Sequence, residues 1–307
     1  MDIISNTTEF NITTPTAVAI GKFDGVHIGH RCILDELLRK KAEGLKTCVF
    51  TFDPLPALFF APGSIKEITS LKEKREIFAE MGVDILVEYP LNTQSASISP
   101  FNFVTEVLKG QMNAAFIVAG TDLSFGDKGM GDVKLLRELA EPLEIELSIM
   151  DKICVDGEEV SSSRIRRLLY EGNVREANRL LVNPFSMEGK VEQGAKIGRT
   201  LGFPTLNIHP DPDKLIPKCG VYAALVNLNG RTYRSVTNVG FKPTVHNTDH
   251  PVVESFLYDF DQNVYGRDVT VKLLEFIRPE VKFNDLTELK NQIKKDVKMG
   301  NAIDYDI

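Results

Sequence analysis

The sequence predicts two domains: a parallel α/β sheet, then a small antiparallel β-barrel with a terminal helix. Three observations predict this. A length of 307 residues fits about two domains. Before about Pro184, apolar strands alternate with amphipathic helices, the rhythm of a parallel sheet covered on both faces. After Pro184, short β-type runs separated by turn signals dominate, the rhythm of a barrel. The domains are therefore set at residues 1–184 and 185–307.

Taken in order, Thr16 to Ile20 is a short apolar run ending at Gly21, a buried strand. Ile28 to Lys41 carries Ile33, Leu34, Leu37 and Leu38 at helical spacing. Strands are expected at Thr47 to Phe52, Asp84 to Tyr89, Ala114 to Ala119 and Ile145 to Met150. Helices are expected at Lys72 to Met81 and Pro100 to Lys109. In such sheets ligands bind at the carboxyl ends of strands, so the strand-to-helix turns are where a site is sought. A helix opening at Ser161 stops at Gly172, and a second, Val174 to Leu181, leads to the boundary. Beyond it, strands are expected at Met187 to Val191, Val221 to Asn227, Thr232 to Asn238, Val253 to Tyr258 and Val269 to Phe276. Turn signals such as Asn229-Gly230 and Tyr265-Gly266 separate them. Leu286, Leu289, Ile293 and Val297 share one face of a final helix, and Asp285 with Glu288 fits a capping box.

Composition narrows the function. Hydrophobic residues make up 43% and charged residues 26%, as in ordinary globular proteins. No apolar run reaches the roughly 18 residues of a membrane span. The first ten residues carry Asp2 and Glu9 and do not resemble a signal peptide. Cys32, Cys48, Cys154 and Cys219 form no CxxC pair, which fits reduced thiols in a cytoplasmic protein without structural zinc. The formal charge is -7. It all falls before the boundary, since the segment after Pro184 has 16 basic and 16 acidic residues. Neither half has the basic balance of a nucleic-acid binder. Phosphate binding must then be local, through backbone N–H groups, a few cations and a metal ion.

The turn after the first apolar strand reads Gly21-Lys22-Phe23-Asp24-Gly25-Val26-His27-Ile28-Gly29-His30. Its glycines let the backbone turn sharply beside a ligand. His27 and His30 start a helix three residues apart, hence on one face. Helix N-termini attract anions, so two imidazoles there suit a triphosphate and the charge built up in nucleotidyl transfer. A metal site is the weaker reading, with no third ligand nearby. The stretch resembles the HxGH signature of the nucleotidylyltransferase superfamily. In its fuller form, GxFDGxHxGH, it resembles the adenylyltransferase domain of bacterial bifunctional riboflavin kinase/FAD synthetases. That implies a Rossmann-like first domain with Gly21, Phe23, Asp24, Gly25 and Gly29 at the ATP phosphates. Val160-Ser161-Ser162-Ser163-Arg164-Ile165-Arg166 resembles the same family's ISSTxIR motif, which adds Ser161 and Ser162 as phosphate ligands and Arg166 to the catalytic set.

Two stretches depart from the pattern. The family's TF(D/E)PHP is Thr51-Phe52-Asp53-Pro54-Leu55-Pro56 here, with Leu55 for His. The family's aromatic-rich flavin loop is Gly120-Thr121-Asp122-Leu123-Ser124-Phe125-Gly126, with Phe125 its one aromatic. The resemblance still implies flavin contacts from Asp122 and Phe125.

The second half carries Gly194-Ala195-Lys196-Ile197-Gly198-Arg199-Thr200-Leu201-Gly202-Phe203-Pro204-Thr205-Leu206-Asn207. Its glycines suit a loop around phosphates, and no Walker pattern is present. Thr205 and Asn207 point to one side of an extended segment, and their oxygens suit Mg²⁺. The segment resembles the riboflavin kinase signature GRxLGFPTxN. Gly220 to Ala223, Thr237 to Val245, Val253-Glu254 and Phe276 to Glu280 resemble further segments of that family in order. The resemblance implies ATP against Gly194, Gly198, Arg199, Gly202 and Pro204, Mg²⁺ on Thr205 and Asn207, Glu254 as base toward the riboflavin 5′-hydroxyl, and Arg278 at the flavin. The expected function is riboflavin to FMN, then FMN to FAD, both with ATP. A kinase with a silent first domain, favoured by Leu55 and the aromatic-poor loop, and a non-catalytic flavin or nucleotide sensor are the alternatives.

Overall fold

All five residues of the first apolar run are buried, as a strand requires when helices cover both faces of its sheet. The computed structural model describes residues 1–194, 197–242, 250–303 and 305. Ala195, Lys196 and the stretch Pro243 to Val245, all within expected motifs, lie outside them. The chain forms two compact units, Met1–Ser161 and Ser162–Ile307.

In the first unit, six strands form one parallel sheet: β1 (Asp2–Ser5), β2 (Thr16–Ile20), β3 (Lys46–Asp53), β4 (Ile85–Pro90), β5 (Ala114–Gly120) and β6 (Glu146–Met150). A small hairpin, β7 (Cys154–Val155) and β8 (Glu158–Glu159), follows. The sheet order is β1-β4-β3-β2-β5-β6. Helices α1 (Ile28–Arg39), α2 (Leu71–Glu80) and α3 (Val133–Ala140) connect strands, as does Pro100–Asn102, which continues as a π-helix, Phe103–Gln111. Side chains alternate across the sheet. Val18, Ile20, Phe50 and Val87 join Phe103, Val107 and Leu136 in one core cluster, while Ala17, Ala19 and Val49 point the other way. From β2 the chain winds outward through β3 and β4, then crosses back to β5 on the other side of β2. The winding reverses between β2 and β5, the place where sheets of this kind bind ligands at the strands' carboxyl ends.

The second unit opens with α4 (Ser162–Glu171) and α5 (Val174–Leu180). Its strands are β9 (Ser186–Lys190), β10 (Thr205–Ile208), β11 (Gly220–Leu228), β12 (Arg231–Lys242), β13 (His250–Leu257) and β14 (Asp268–Pro279). They form one antiparallel sheet in the order β10-β13-β12-β11-β14-β9. Just past β9, the Glu192 N–H donates to the Asn207 carbonyl at 2.8 Å, so the sheet curls back toward its first strand. Asn178 ties α5 to this sheet: its amide donates to Leu273 O and accepts from Phe185 N–H, each at 2.8 Å. The two helices before residue 184 thus pack with the barrel.

The last helix, α6 (Leu286–Asn301), starts on Asp285, whose carboxylate accepts from Thr287 and Glu288 N–H. The expected capping box is only half present. The Glu288 carboxylate accepts from Asn284 N–H, one residue before the cap, because the backbone there reaches it first. From β14, Arg278 grips Asp296 of α6 with Nε at 2.8 Å and Nη2 at 2.7 Å. The Asp296 side chain is only 4% exposed. Removing one partner of a buried pair strands the other charge, at about 3–5 kcal/mol. Asp296→Ala is expected to lower the urea midpoint of the second unit by a corresponding amount, read by circular dichroism.

Candidate active sites

The first site grows from the turn after β2. Phe23 adopts a left-handed backbone, φ 48°, which turns its ring into the core. There it lies 5.4 Å from Phe78 and 5.1 Å from His30. Asp24 is also buried, and its Oδ1 accepts from Ile68 N–H at 2.9 Å and Thr69 N–H at 3.1 Å. Both residues were expected at the phosphates. Their side chains instead brace the turn against the segment leading into α2. Gly25, at φ +59°, completes the brace: a Cβ there would sit 2.9 Å from the Ile68 side chain.

His27 is the N-cap of α1 and stacks on His30, ring centroids 3.7 Å apart. The His30 N–H donates to His27 Nδ1 at 3.2 Å, and the His27 N–H points back at His30 Nδ1 at 3.5 Å. Each Nδ1 therefore faces a donor, which leaves the proton of a neutral ring on Nε2. Burial pushes His27 down to about 4, partly offset by the charges of Asp122 and Asp24. Burial, then His27 and Lys74, hold His30 well below the ordinary histidine value. The pair is thus neutral at neutral pH, with His27 offering an Nε2–H donor, while the His30 ring also meets the Gly25 backbone. The unfolded His27 titrates near 6.5, so its burial stabilises the fold above that value and the gain is lost as pH falls from about 6.5 to about 4. That span is worth on the order of 3 kcal/mol. The first unit is expected to melt markedly lower at pH 4.5 than at pH 7, with His27→Asn flattening that dependence in thermal melts.

On the neighbouring strand, the loop after β5 presents Asp122, its side chain 71% exposed, with Lys152 Nζ 3.8 Å away. Phe125 of the same loop does not join it. It is 4% exposed and packs 5.6 Å from Phe103 in the core. The expected flavin stacking therefore has no open ring there. An exposed ring that the sequence reading did not single out lies near the neighbouring strand. Phe60, 65% exposed, ends a short helix, Pro56–Phe60, that follows the carboxyl end of β3 and buries none of its residues. The pair Phe59-Phe60 just after a turn was its signal. Leu55, in place of the family's histidine, is buried at the start of this helix. Ser161 ends the first unit, while Ser162 and Arg166 lie on α4 of the second.

The second site is set by strand register. Asn207 on β10 pairs with Glu254 on β13, which pairs with Asn238 on β12, then Val221 on β11 and Arg278 on β14. Directly opposed residues share a face, so these five form one row across the sheet. Thr205 lies two residues from Asn207 and hence on that face. The glycine segment is less loop-like than expected: Ile197–Leu201 forms a short helix, with Arg199 exposed, followed by Gly202 at φ +89° and an exposed Pro204. Gly194 passes over Asn207 so closely that a Cβ would lie 2.6 Å from Asn207 Oδ1. That cradle and the hard oxygens of Thr205 and Asn207 fit a Mg²⁺–phosphate group. Arg278 gives Nε and Nη2 to Asp296 and Nη1 to Pro279 O, which uses three of its five N–H donors and fixes its guanidinium plane.

The family model described as FAD synthetase matches residues 9–164, and that described as riboflavin kinase matches residues 181–303. The bifunctional riboflavin kinase/FMN adenylyltransferase of Listeria monocytogenes is 38% identical, over 91% of this chain and 89% of its own. The chain belongs to the bifunctional riboflavin kinase/FMN adenylyltransferase family. Members of this family from Bacillus subtilis and Escherichia coli K12 are 36% and 34% identical, each over about nine-tenths of both chains. A solved structure named macrolide-efflux protein, from Streptococcus pneumoniae, superposes with a TM-score of 0.88 at 29% identity, covering 98% of this chain and 99% of that one. Among the described residues here, no helix is long and apolar enough to cross a membrane.

Proposed function

We propose that this protein phosphorylates riboflavin to FMN and adenylylates FMN to FAD, with ATP as co-substrate of both steps. The observation that carries this reading is the pairing of two unlike phosphate-handling sites in one chain. One is a neutral histidine pair at the winding reversal of a parallel sheet, and the other a Thr205–Asn207–Glu254 face on an antiparallel one.

In the kinase step, the riboflavin 5′-oxygen attacks the γ-phosphorus, the bond to the β-phosphate oxygen breaks and ADP leaves. Glu254 accepts the hydroxyl proton. Mg²⁺ held by Thr205 and Asn207 would neutralise charge on the outer phosphates. Most of the rate comes from positioning and charge neutralisation, which Gly194, Gly198, Arg199, Gly202 and Pro204 serve by enclosing ATP. In the adenylyl step, an FMN phosphate oxygen attacks the α-phosphorus of ATP and pyrophosphate leaves. The nucleophile is already ionised near neutral pH, since the second pKa of a phosphate monoester is about 6. No base is required, and this site has donors where the kinase site has a carboxylate. His27 and His30 donate to the phosphates, Gly21 and Gly29 let them approach, and Phe60 and Asp122 face the flavin. Ser161, Ser162 and Arg166 are assigned to ATP by their motif alone. The four unpaired cysteines fit a reducing cytosol.

The test is chromatography of the flavins formed from riboflavin with ATP and Mg²⁺, repeated from FMN. FAD from both starts is expected. FMN accumulating with no FAD from either would leave a kinase with a silent first unit.

A further inference from the structure

Lys74 is a lysine where the fold should have an apolar side chain. It lies on α2 between Leu71 and Phe78, on the stripe that faces the core, and its side chain is 1% exposed. Lysine is rarely buried without a close partner, because its charge loses water. Here the nearest carboxylate oxygen, Oε1 of Glu67, is 4.0 Å away, beyond hydrogen-bond length. The surroundings tie this residue to the first site. One turn on, Phe78 packs edge-on against Phe23, which in turn packs on His30. Just upstream, Ile68 and Thr69 are fastened to Asp24. The element carrying Lys74 is therefore the back wall of the histidine turn.

We propose that Lys74 is a positioning residue of the adenylyl site, a buried lysine whose ammonium acts on the departing pyrophosphate through His30. The inference rests on the adenylyl reading above. As the bond between the α-phosphorus and its bridging oxygen breaks, negative charge collects on pyrophosphate. Two neutral imidazoles supply hydrogen bonds but no net charge. A cation behind them, in a water-poor wall, supplies potential that bulk solvent would otherwise screen. It also discourages protonation of His30, so that ring keeps its backbone-facing Nδ1 as acceptor and its Nε2–H as donor. Behind burial and His27, Lys74 adds to the lowering of His30. Several other charged groups surround the pair. Asp24 and Asp122 act on His27, Glu67 on Lys74, and Arg31 of α1 is paired with Asp35 at 2.8 Å.

The test compares wild type, Lys74→Met, Lys74→Arg and Glu67→Gln. FAD formation from FMN and ATP is followed against pH, FMN formation from riboflavin serves as the internal control, and His30 is titrated by NMR with ¹³C-labelled histidine. Lys74→Met is expected to lower kcat for FAD at least about tenfold with the KM for FMN unchanged, to raise the His30 pKa, and to move the acid limb of the rate profile to higher pH. Lys74→Arg should retain most of the rate. Glu67→Gln removes the countercharge and should shift His30 the opposite way, which keeps the idea testable if Lys74→Met does not fold. Folded Lys74→Met with wild-type kcat and an unmoved His30, or an unmoved His30 in Glu67→Gln, overturns the proposal while leaving the adenylyl reading intact. A wild-type protein that makes no FAD removes both.

Discussion

His27→Asn is expected to cut FAD formation about 10²- to 10³-fold, the loss typical of one donor at a developing anion. Asparagine is itself a favoured N-cap, so α1 keeps its start and the turn its course. What disappears is the Nε2–H and the ring stacked at 3.7 Å on His30. FMN formation in the same molecule should stay at the wild-type rate, because riboflavin phosphorylation uses the other unit. Steady-state rates of the two products, measured on one preparation, separate loss of chemistry from loss of folded protein. An unchanged FAD rate would take His27 out of the reaction.

Glu254→Gln is expected to do the converse. Glutamine matches glutamate in shape, so the pairing with Asn207 and Asn238 survives. Its amide cannot take the proton of the riboflavin 5′-hydroxyl. General bases contribute about 10²- to 10⁴-fold, and phosphoryl transfer relies mainly on positioning, so the lower end applies: a loss of about 10²-fold in kcat, with the KM for ATP little changed. FAD formation from supplied FMN should be untouched. A kcat within about threefold of wild type would assign the proton to another acceptor.

Much of both sites was legible because each rests on a strong local signal. An apolar run ending in glycine announces β2 and the turn after it. A two-residue period puts Thr205 and Asn207 on one face whatever the strand's partners are. The remainder depends on facts that sequence order does not carry. Phe23 and Asp24 look like ligand residues until a left-handed backbone at Phe23 and two backbone N–H bonds to Asp24 hold their side chains inward. Phe125 and Phe60 are the same letter; one fills the core and one faces outward, and only the packing of their segments decides which. Arg278 meets Asp296 across 18 residues, through a helix docking that no local pattern encodes. Lys74 could have been noticed, since a cation between Leu71 and Phe78 breaks the apolar stripe of α2. In an amphipathic helix rich in lysine and glutamate, such a break reads as ordinary surface.

Asn207 serves both the backbone and the ligand. Its carbonyl accepts the Glu192 N–H where the sheet curls back on itself, while its side chain lies under Gly194 toward the proposed Mg²⁺ and nucleotide. Ligand seated on that side chain must also hold the seam shut, because a group that binds only the closed form stabilises it by mass action. The Glu192 amide is then a built-in reporter. Its exchange with deuterium should slow when ADP and Mg²⁺ are added, so occupancy of the kinase site can be followed from a backbone position that touches no ligand.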